Sequence, residues 1–109
     1  MLVGTAKGCK SVGQAGSEHN GLVTEVITEL MKAIEQHENV TFSEGIVPRL
    51  AAYTDVVTDF PCAVKEFQWR NQYFYNLKES DGTTAACPIH NQLLQECQTK
   101  GYLSFDIPK

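Results

Sequence analysis

The stretch LVTEVITELMKAIEQH, residues 22–37, decides the fold, because its apolar side chains recur at the spacing of an α-helix. Charged residues stand between them, so the predicted helix has one apolar face and one polar face. The apolar positions are Leu22, Val23, Val26, Ile27, Leu30, Met31 and Ile34. The pattern ends near His37-Glu38-Asn39, and a helix of this kind has to bury its apolar face against other elements.

Two more helices are predicted directly after it. Thr41 and Glu44 have the spacing of a capping box, and Pro48 falls in the first turn of the second helix, where proline is tolerated. Asp59 is the predicted N-cap of a third helix, with Pro61 in its first turn. Each start signal precedes apolar residues, so helix follows helix along the chain.

The C-terminal part predicts a fourth helix, which begins at Pro88 and is closed by Lys100-Gly101. Residues 1–21 are glycine-rich and are interpreted as a flexible arm or a broken helix. Residues 22–101 are predicted to form the helical domain, and 102–109 a tail. Because no stretch alternates with period two, the predicted fold class is all-α, a small helical bundle.

Length and composition limit the classes of function. The chain has 109 residues, 42% hydrophobic and 20% charged, with a net charge of −4, which is typical of one globular domain. No basic run favours nucleic acid as a partner, and no apolar stretch approaches the roughly 20 residues that span a bilayer. Without an apolar signal run at the start, we expect a cytoplasmic protein that binds neither nucleic acid nor membrane.

The four cysteines, Cys9, Cys62, Cys87 and Cys97, contain no C-x-x-C pair, which predicts free, partly buried thiols. Cys87, His90 and Cys97 could share one helix face, and three such ligands can bind zinc. Structural zinc sites usually take four ligands from closely spaced pairs, so we expect no metal site here. The preferred interpretation is buried thiols and a surface imidazole.

Residues 58–75, TDFPCAVKEFQWRNQYFY, combine charges with most of the aromatic residues. In a helix, Glu66 and Arg70 lie one turn apart, and their simplest interpretation is a surface ion pair worth about 0.2–0.5 kcal/mol. The alternative is a carboxylate partly desolvated by neighbouring rings and able to contact a substrate hydroxyl. The residues alone leave both open.

From about Glu25 to Glu96, the order of features resembles the C-terminal helical domain of the ketopantoate reductase family, whose fold is shared by 6-phosphogluconate dehydrogenase-like enzymes. A hydroxyl residue followed by a mostly apolar turn, Thr54-Asp55-Val56-Val57, leads to Glu66 and, five positions on, Asn71. A loop and a helix-starting proline follow in the segment 87–91. Gln72 departs from the glycine that commonly follows the asparagine.

The resemblance implies an NADP-dependent reductase of a 2-keto acid. It assigns Glu66 a catalytic role in orienting the substrate hydroxyl and Thr54 a role in substrate binding, and it adds Asn71 as a weaker substrate-binding candidate. The family's general-acid lysine and its NADP site lie on a Rossmann domain. This sequence has no Rossmann fingerprint, so no cofactor is expected in this chain itself.

The leading hypothesis is therefore the substrate-side and dimerisation domain of such an enzyme, inactive alone and completed by a Rossmann domain in cis or in trans. A homo-oligomer is expected, since apolar surface left by a missing domain favours self-association. The competing hypothesis is a stand-alone, non-catalytic helical interaction module.

Overall fold

The structure is a computed structural model that describes residues 1–56, 58–59, 62, 64, 71–79, 82–103 and 105–107. Six α-helices occur among these residues: α1 (Leu2–Ala6), α2 (Val12–Glu18), α3 (Asn20–Glu38), α4 (Ile46–Ala52), α5 (Asn71–Asn76) and α6 (Pro88–Thr99). A 3₁₀ turn, Tyr53–Asp55, continues α4. An isolated antiparallel bridge joins Lys78 to Ala85. The described residues are mostly helical and form no β-strand, which is compatible with the predicted all-α class.

The long helix α3 is the centre of the bundle and packs against α2, α4 and α6, while α1 packs on α6. Its predicted end is confirmed, because Asn39 adopts a left-handed conformation with φ 54° and stops the helix. The core is built from apolar side chains of several helices. These include Leu2, Val3, Ala6, Val23, Val26, Ala51, Leu93, Leu94 and Cys97.

Helix α6 begins and ends where the sequence predicts. Pro88 is its first residue. At the other end Gly101 has φ 75°, and the amide of Tyr102 bonds the carbonyl of Cys97 at 2.9 Å while that of Gly101 bonds the carbonyl of Gln98 at 3.0 Å. This pair of bonds is a Schellman motif, in which glycine takes the left-handed position.

The predicted capping box is wrong. Helix α4 starts at Ile46, two residues beyond Glu44, and its N-cap is Gly45, with no side-chain cap from Thr41. The predicted start of the third helix is also wrong. Asp59, its expected N-cap, lies in a turn, and Cys62 and Val64 are not helical, so the helix seen in this stretch is α5 at its far end. Residues 60–61, 63 and 65–70 of the predicted helix lie outside the described residues.

The two ends of the chain belong to the core. Where the sequence left open a flexible arm or a broken helix for 1–21, the structure has α1 and α2, with Ala6 fully buried. In the expected tail, Ile107 is 7% exposed, and Leu103 and Phe105 pack against the core. Apolar residues without helical period thus gain their order from tertiary contacts.

We expect Gly16→Ala to destabilise the protein, because a Cβ at Gly16 would overlap the Oγ1 atom of Thr54 where α2 crosses the 3₁₀ turn. The cost should be about 1–3 kcal/mol, as for other overpacked sites. Gly21→Ala is the matched control, since no atom lies within 4 Å of a Cβ there, and helix propensity should make it neutral or stabilising. Urea unfolding measures both, and equal effects would contradict the close packing.

Candidate functional site

Helices α1, α3, α5 and α6 surround a cavity of about 780 Å³. Most of its wall is aliphatic and comes from α1 and α3. This part consists of Met1, Leu2, Val3, Val23, Val26, Ile27, Leu30 and Ile34, together with Val64. The volume and the mostly apolar wall are those of a small-molecule pocket.

The other described residues of the wall are polar or aromatic and belong mainly to α5 and α6. It comprises Glu38, Asn71, Tyr73, Phe74 and His90. The cavity therefore presents a long apolar surface together with a few polar groups.

His90 is the buried member of the polar wall, with a side chain 0% exposed. Its Nε2 lies 3.1 Å from Nδ2 of Asn71, and its Nδ1 lies 2.9 Å from Oδ1 of Asn91. The Asn91 amide nitrogen in turn donates to the backbone carbonyl of Tyr75 at 3.2 Å. Phe74 packs its ring edge against the imidazole, with centroids 5.7 Å apart. Hydrogen bonds on both ring nitrogens offset the cost of burying the imidazole.

Burial lowers the pKa of His90 below its ordinary value of 6.5, against smaller opposing effects of the Asn91 hydrogen bond and the Glu29 charge. The ring is therefore neutral at pH 7. The interpretation of His90 as a surface imidazole is wrong, because position 90 of the amphipathic helix α6 faces the bundle interior.

Glu29 of α3 caps the N-terminus of α6. One carboxylate oxygen accepts the amide of Ile89 at 3.0 Å and the other accepts the amide of His90 at 2.9 Å. Pro88 has no amide hydrogen, and the amide of Asn91 already bonds the carbonyl of Cys87 at 2.9 Å. A carboxylate at a helix N-terminus is favoured both by these bonds and by the helix dipole. Two walls of the cavity are thereby joined.

In a second histidine, His37, the surroundings favour the protonated ring, whereas in His90 they favour the neutral one. Its Nδ1 lies 3.0 Å from the carbonyl oxygen of Ala33, and its Nε2 lies 2.7 Å from that of Lys78. Since carbonyls only accept hydrogen bonds, both ring nitrogens must carry protons to be satisfied. The Ala33 carbonyl and then the Lys78 carbonyl raise the pKa of His37 above its ordinary value. His37 ties the end of α3 to the loop after α5.

At the same end of α3, the hydroxyl of Tyr73 donates to Oε1 of Glu38 at 2.8 Å. This bond raises the pKa of Tyr73 above its ordinary value, because ionisation would place two negative charges together. At the polar wall, Tyr73 is thus the neutral hydrogen-bond donor and Glu38 the anionic acceptor.

The residues assigned by the family resemblance fall in different places. Asn71 lies on the cavity wall. Thr54 is 5% exposed, donates its hydroxyl to the carbonyl of Ala51 at 2.9 Å and packs against Gly16, away from that wall. Glu66 lies outside the described residues, as does Arg70. The structure does not bring Thr54 and Asn71 together, and their substrate roles stay predictions.

All four cysteines are free thiols, three of them buried. Burial, followed by the carboxylates of Glu29 and Glu79, raises the pKa of Cys87 to about 12, so its thiol is protonated at neutral pH. Within the described ranges, no three histidine, cysteine or carboxylate groups are close enough to hold a metal ion.

Sequence reasoning missed Glu29 and the buried position of His90. Glu29 looked like one of several charges between apolar positions, and its partners lie 60 and 61 residues away. The available signal was indirect: Pro88 opens a helix whose next two amides need acceptors, which predicts a cap without naming it.

The sequence matches no protein-family model, no curated protein and no solved structure. Among the described helices, none combines the length and apolar character needed to cross a membrane.

Replacing Glu29 should destabilise the fold. Glu29→Ala leaves the amides of Ile89 and His90 without their acceptor and should lower the free energy of unfolding by about 1–3 kcal/mol, with faster hydrogen exchange at both amides. Glu25→Ala is the control, because Glu25 is exposed on the same helix and should change stability by less than about 0.5 kcal/mol. Equal losses in the two variants would contradict the cap.

Stability should depend on pH through the two histidines in opposite directions. The pKa of His90 is lower in the folded protein than its ordinary value of 6.5, so protons bind more readily to the unfolded chain. The contribution of His90 to stability therefore decreases as pH falls below 6.5. His37 binds its proton more tightly when folded, so its contribution is complete below pH 6.5 and is lost as pH rises through its raised pKa.

His37→Gln removes the compensating contribution. In this variant we therefore expect the free energy of unfolding to fall more steeply from pH 7 to pH 5.5 than in the wild type. Urea titrations at several pH values measure the slopes. A variant profile that is flat, or that rises toward pH 5.5, would show that His90 is not held neutral.

Proposed function

We propose that this chain is a helical domain that binds a small, mostly apolar molecule in the cavity between α1, α3, α5 and α6. The observation that carries the proposal is the composition of the wall: a continuous aliphatic surface with polar groups contributed chiefly by two other helices. Binding sites for small molecules share this arrangement, in which apolar contact supplies affinity and a few polar groups fix orientation.

The charge of the wall favours a neutral or cationic ligand. Glu38 carries a carboxylate there, and the described wall residues include neither lysine nor arginine. His90 adds no positive charge, because burial keeps it neutral at pH 7. An anionic group would lose hydration without a compensating cation in this part of the wall.

Filling the cavity should weaken the binding of naphthalene, which serves as a neutral, apolar probe of the site. Leu30→Trp replaces an aliphatic side chain of the wall with a bulkier indole ring. It should weaken the affinity for naphthalene at least about tenfold, since the cavity loses volume that the ligand needs. Lys32→Trp adds the same ring to an exposed position of α3 and should leave the affinity unchanged. Calorimetry or amide chemical-shift titration measures both. Absence of naphthalene binding to the wild type would refute the proposal.

A second candidate function follows from the family resemblance: the substrate side of a ketopantoate-reductase-like enzyme acting on a 2-keto acid. The observation that favours it is that Asn71, a residue carried by the resemblance, lines the cavity. NADP would be held by a Rossmann domain in cis or in trans, and the assembled enzyme would be a homo-oligomer. Glu66 would orient the substrate hydroxyl, and the keto acid's carboxylate would need a cation from beyond the described wall.

The transcript that encodes this chain tests the second candidate. We expect an in-frame strand–Gly-x-Gly-x-x-Gly–helix upstream, or a separate chain carrying it that co-purifies. In the assembled enzyme, Glu66→Gln should lower the turnover of 2-dehydropantoate with NADPH by at least about tenfold without a comparable loss of stability. Equal losses of turnover and stability would assign Glu66 a structural role only.

A further inference from the structure

A series of hydrogen bonds runs from the backbone carbonyl of Tyr75 through Asn91 and His90 to Asn71 at the cavity wall. The donor and the acceptor of each bond are determined by that carbonyl. The carbonyl of Tyr75 can only accept a hydrogen bond, so the side chain of Asn91 must turn its amide nitrogen toward it, as observed at 3.2 Å. The oxygen of the same amide then faces Nδ1 of His90 at 2.9 Å. Because that oxygen also only accepts, Nδ1 must carry the proton of the imidazole.

The protonation of His90 in turn determines the orientation of the Asn71 amide. A neutral imidazole with its proton on Nδ1 has a bare, accepting Nε2. The group 3.1 Å from Nε2 is the amide nitrogen of Asn71, which donates to it. The carbonyl oxygen of the Asn71 side chain is thereby left as an acceptor, and within the described residues it has no hydrogen-bond donor of its own. One backbone carbonyl and two side chains thus set the orientation of the Asn71 amide.

The position of Asn71 makes this acceptor relevant to a ligand. Its side chain lines the cavity and is only partly buried, whereas His90 behind it is fully buried. An amide oxygen attracts hydrogen-bond donors and repels carboxylates, which are acceptors only. Glu38 on the same wall adds a negative charge, which also repels carboxylates.

We infer that the cavity recognises a neutral, mostly apolar molecule bearing a hydroxyl group, which donates its hydrogen bond to Oδ1 of Asn71. This inference rests on the proposed function, since it specifies the ligand of the same cavity. Asn71 is the residue that determines specificity. His90 and Asn91 are positioning residues, because they contact Asn71 or its partner and fix which atom of its amide bonds to the imidazole.

The test compares 2-naphthol with 2-methylnaphthalene, which have similar size but differ in a hydroxyl and a methyl group. The measured quantity is the ratio of their dissociation constants in each protein, because the change of this ratio between variants isolates the hydroxyl contact. Asn71→Leu should reduce the preference for 2-naphthol by about 2- to 10-fold, the range expected for one net hydrogen bond, and leave the affinity for 2-methylnaphthalene nearly unchanged.

Asn91→Leu tests the positioning residues without touching the ligand contact. It frees His90 to adopt the other tautomer and should reduce the preference for 2-naphthol by a similar factor, although Asn71 is intact. Gln92→Leu, at an exposed neighbouring position of α6, is the matched control and should keep the wild-type ratio. Retained affinity for 2-methylnaphthalene shows in each case that the cavity is folded.

The outcomes separate this inference from the proposed function. If neither compound binds the wild type, the cavity is not a ligand site and both statements fail. If both bind and the ratio is the same in the wild type, Asn71→Leu and Asn91→Leu, the cavity stands and the hydroxyl inference is overturned. Tighter binding of 2-naphthoate than of 2-naphthol would also overturn it, because it would show that the site recognises an anion.

Discussion

The carboxylate of Glu29 on the first free amides of α6 is the contact on which the arrangement of the site depends. It joins two helices that are distant in the sequence, and it bonds the backbone of Ile89 and His90 at 3.0 and 2.9 Å. His90 is thus positioned through its main chain by Glu29 and through its side chain by two asparagines. The imidazole has little freedom to rotate. The amide of Asn71 on the cavity wall in front of it therefore has one preferred orientation.

The two histidines of the polar region show how local acceptors decide charge. His37 faces two carbonyl oxygens and is stabilised as a cation, whereas buried His90 faces one acceptor and one donor and is stabilised as a neutral ring. An imidazole that has to satisfy a donor on one nitrogen cannot be protonated there without loss of that bond. His37 therefore joins the end of α3 to the loop after α5, whereas His90 holds the amide of Asn71 in one orientation.

Sequence patterns predicted the elements whose signals are local. The apolar period gave α3, and Pro88 with Gly101 gave both ends of α6. The pattern at the start of α4 failed. Thr41 and Glu44 have the spacing of a capping box, yet α4 starts beyond them at Ile46, with Gly45 as its N-cap. A capping signal is a short-range preference that the folded chain need not follow.

The residues named from the sequence include one that lines the cavity, and its substrate role stays a prediction. Asn71 was named from the family resemblance and lies on the cavity wall, while Thr54, named with it, is buried against α2. The buried position of His90 and its contact with Glu29 have no signature within any one segment, because both arise from the packing of α3 on α6. Spacing along a sequence shows which residues share a helix face, but not which helix covers it.

The orientation of the Asn71 amide depends on which ring nitrogen of His90 carries the proton, so the position of this proton is the decisive quantity to measure. ¹⁵N chemical shifts of the histidine side chains at pH 7 distinguish a protonated nitrogen from a bare one. The hydrogen-bond arrangement around the imidazole predicts a neutral ring with the proton on Nδ1 and a bare Nε2 that accepts from Asn71. A proton on Nε2, in either the other tautomer or the imidazolium form, would contradict it.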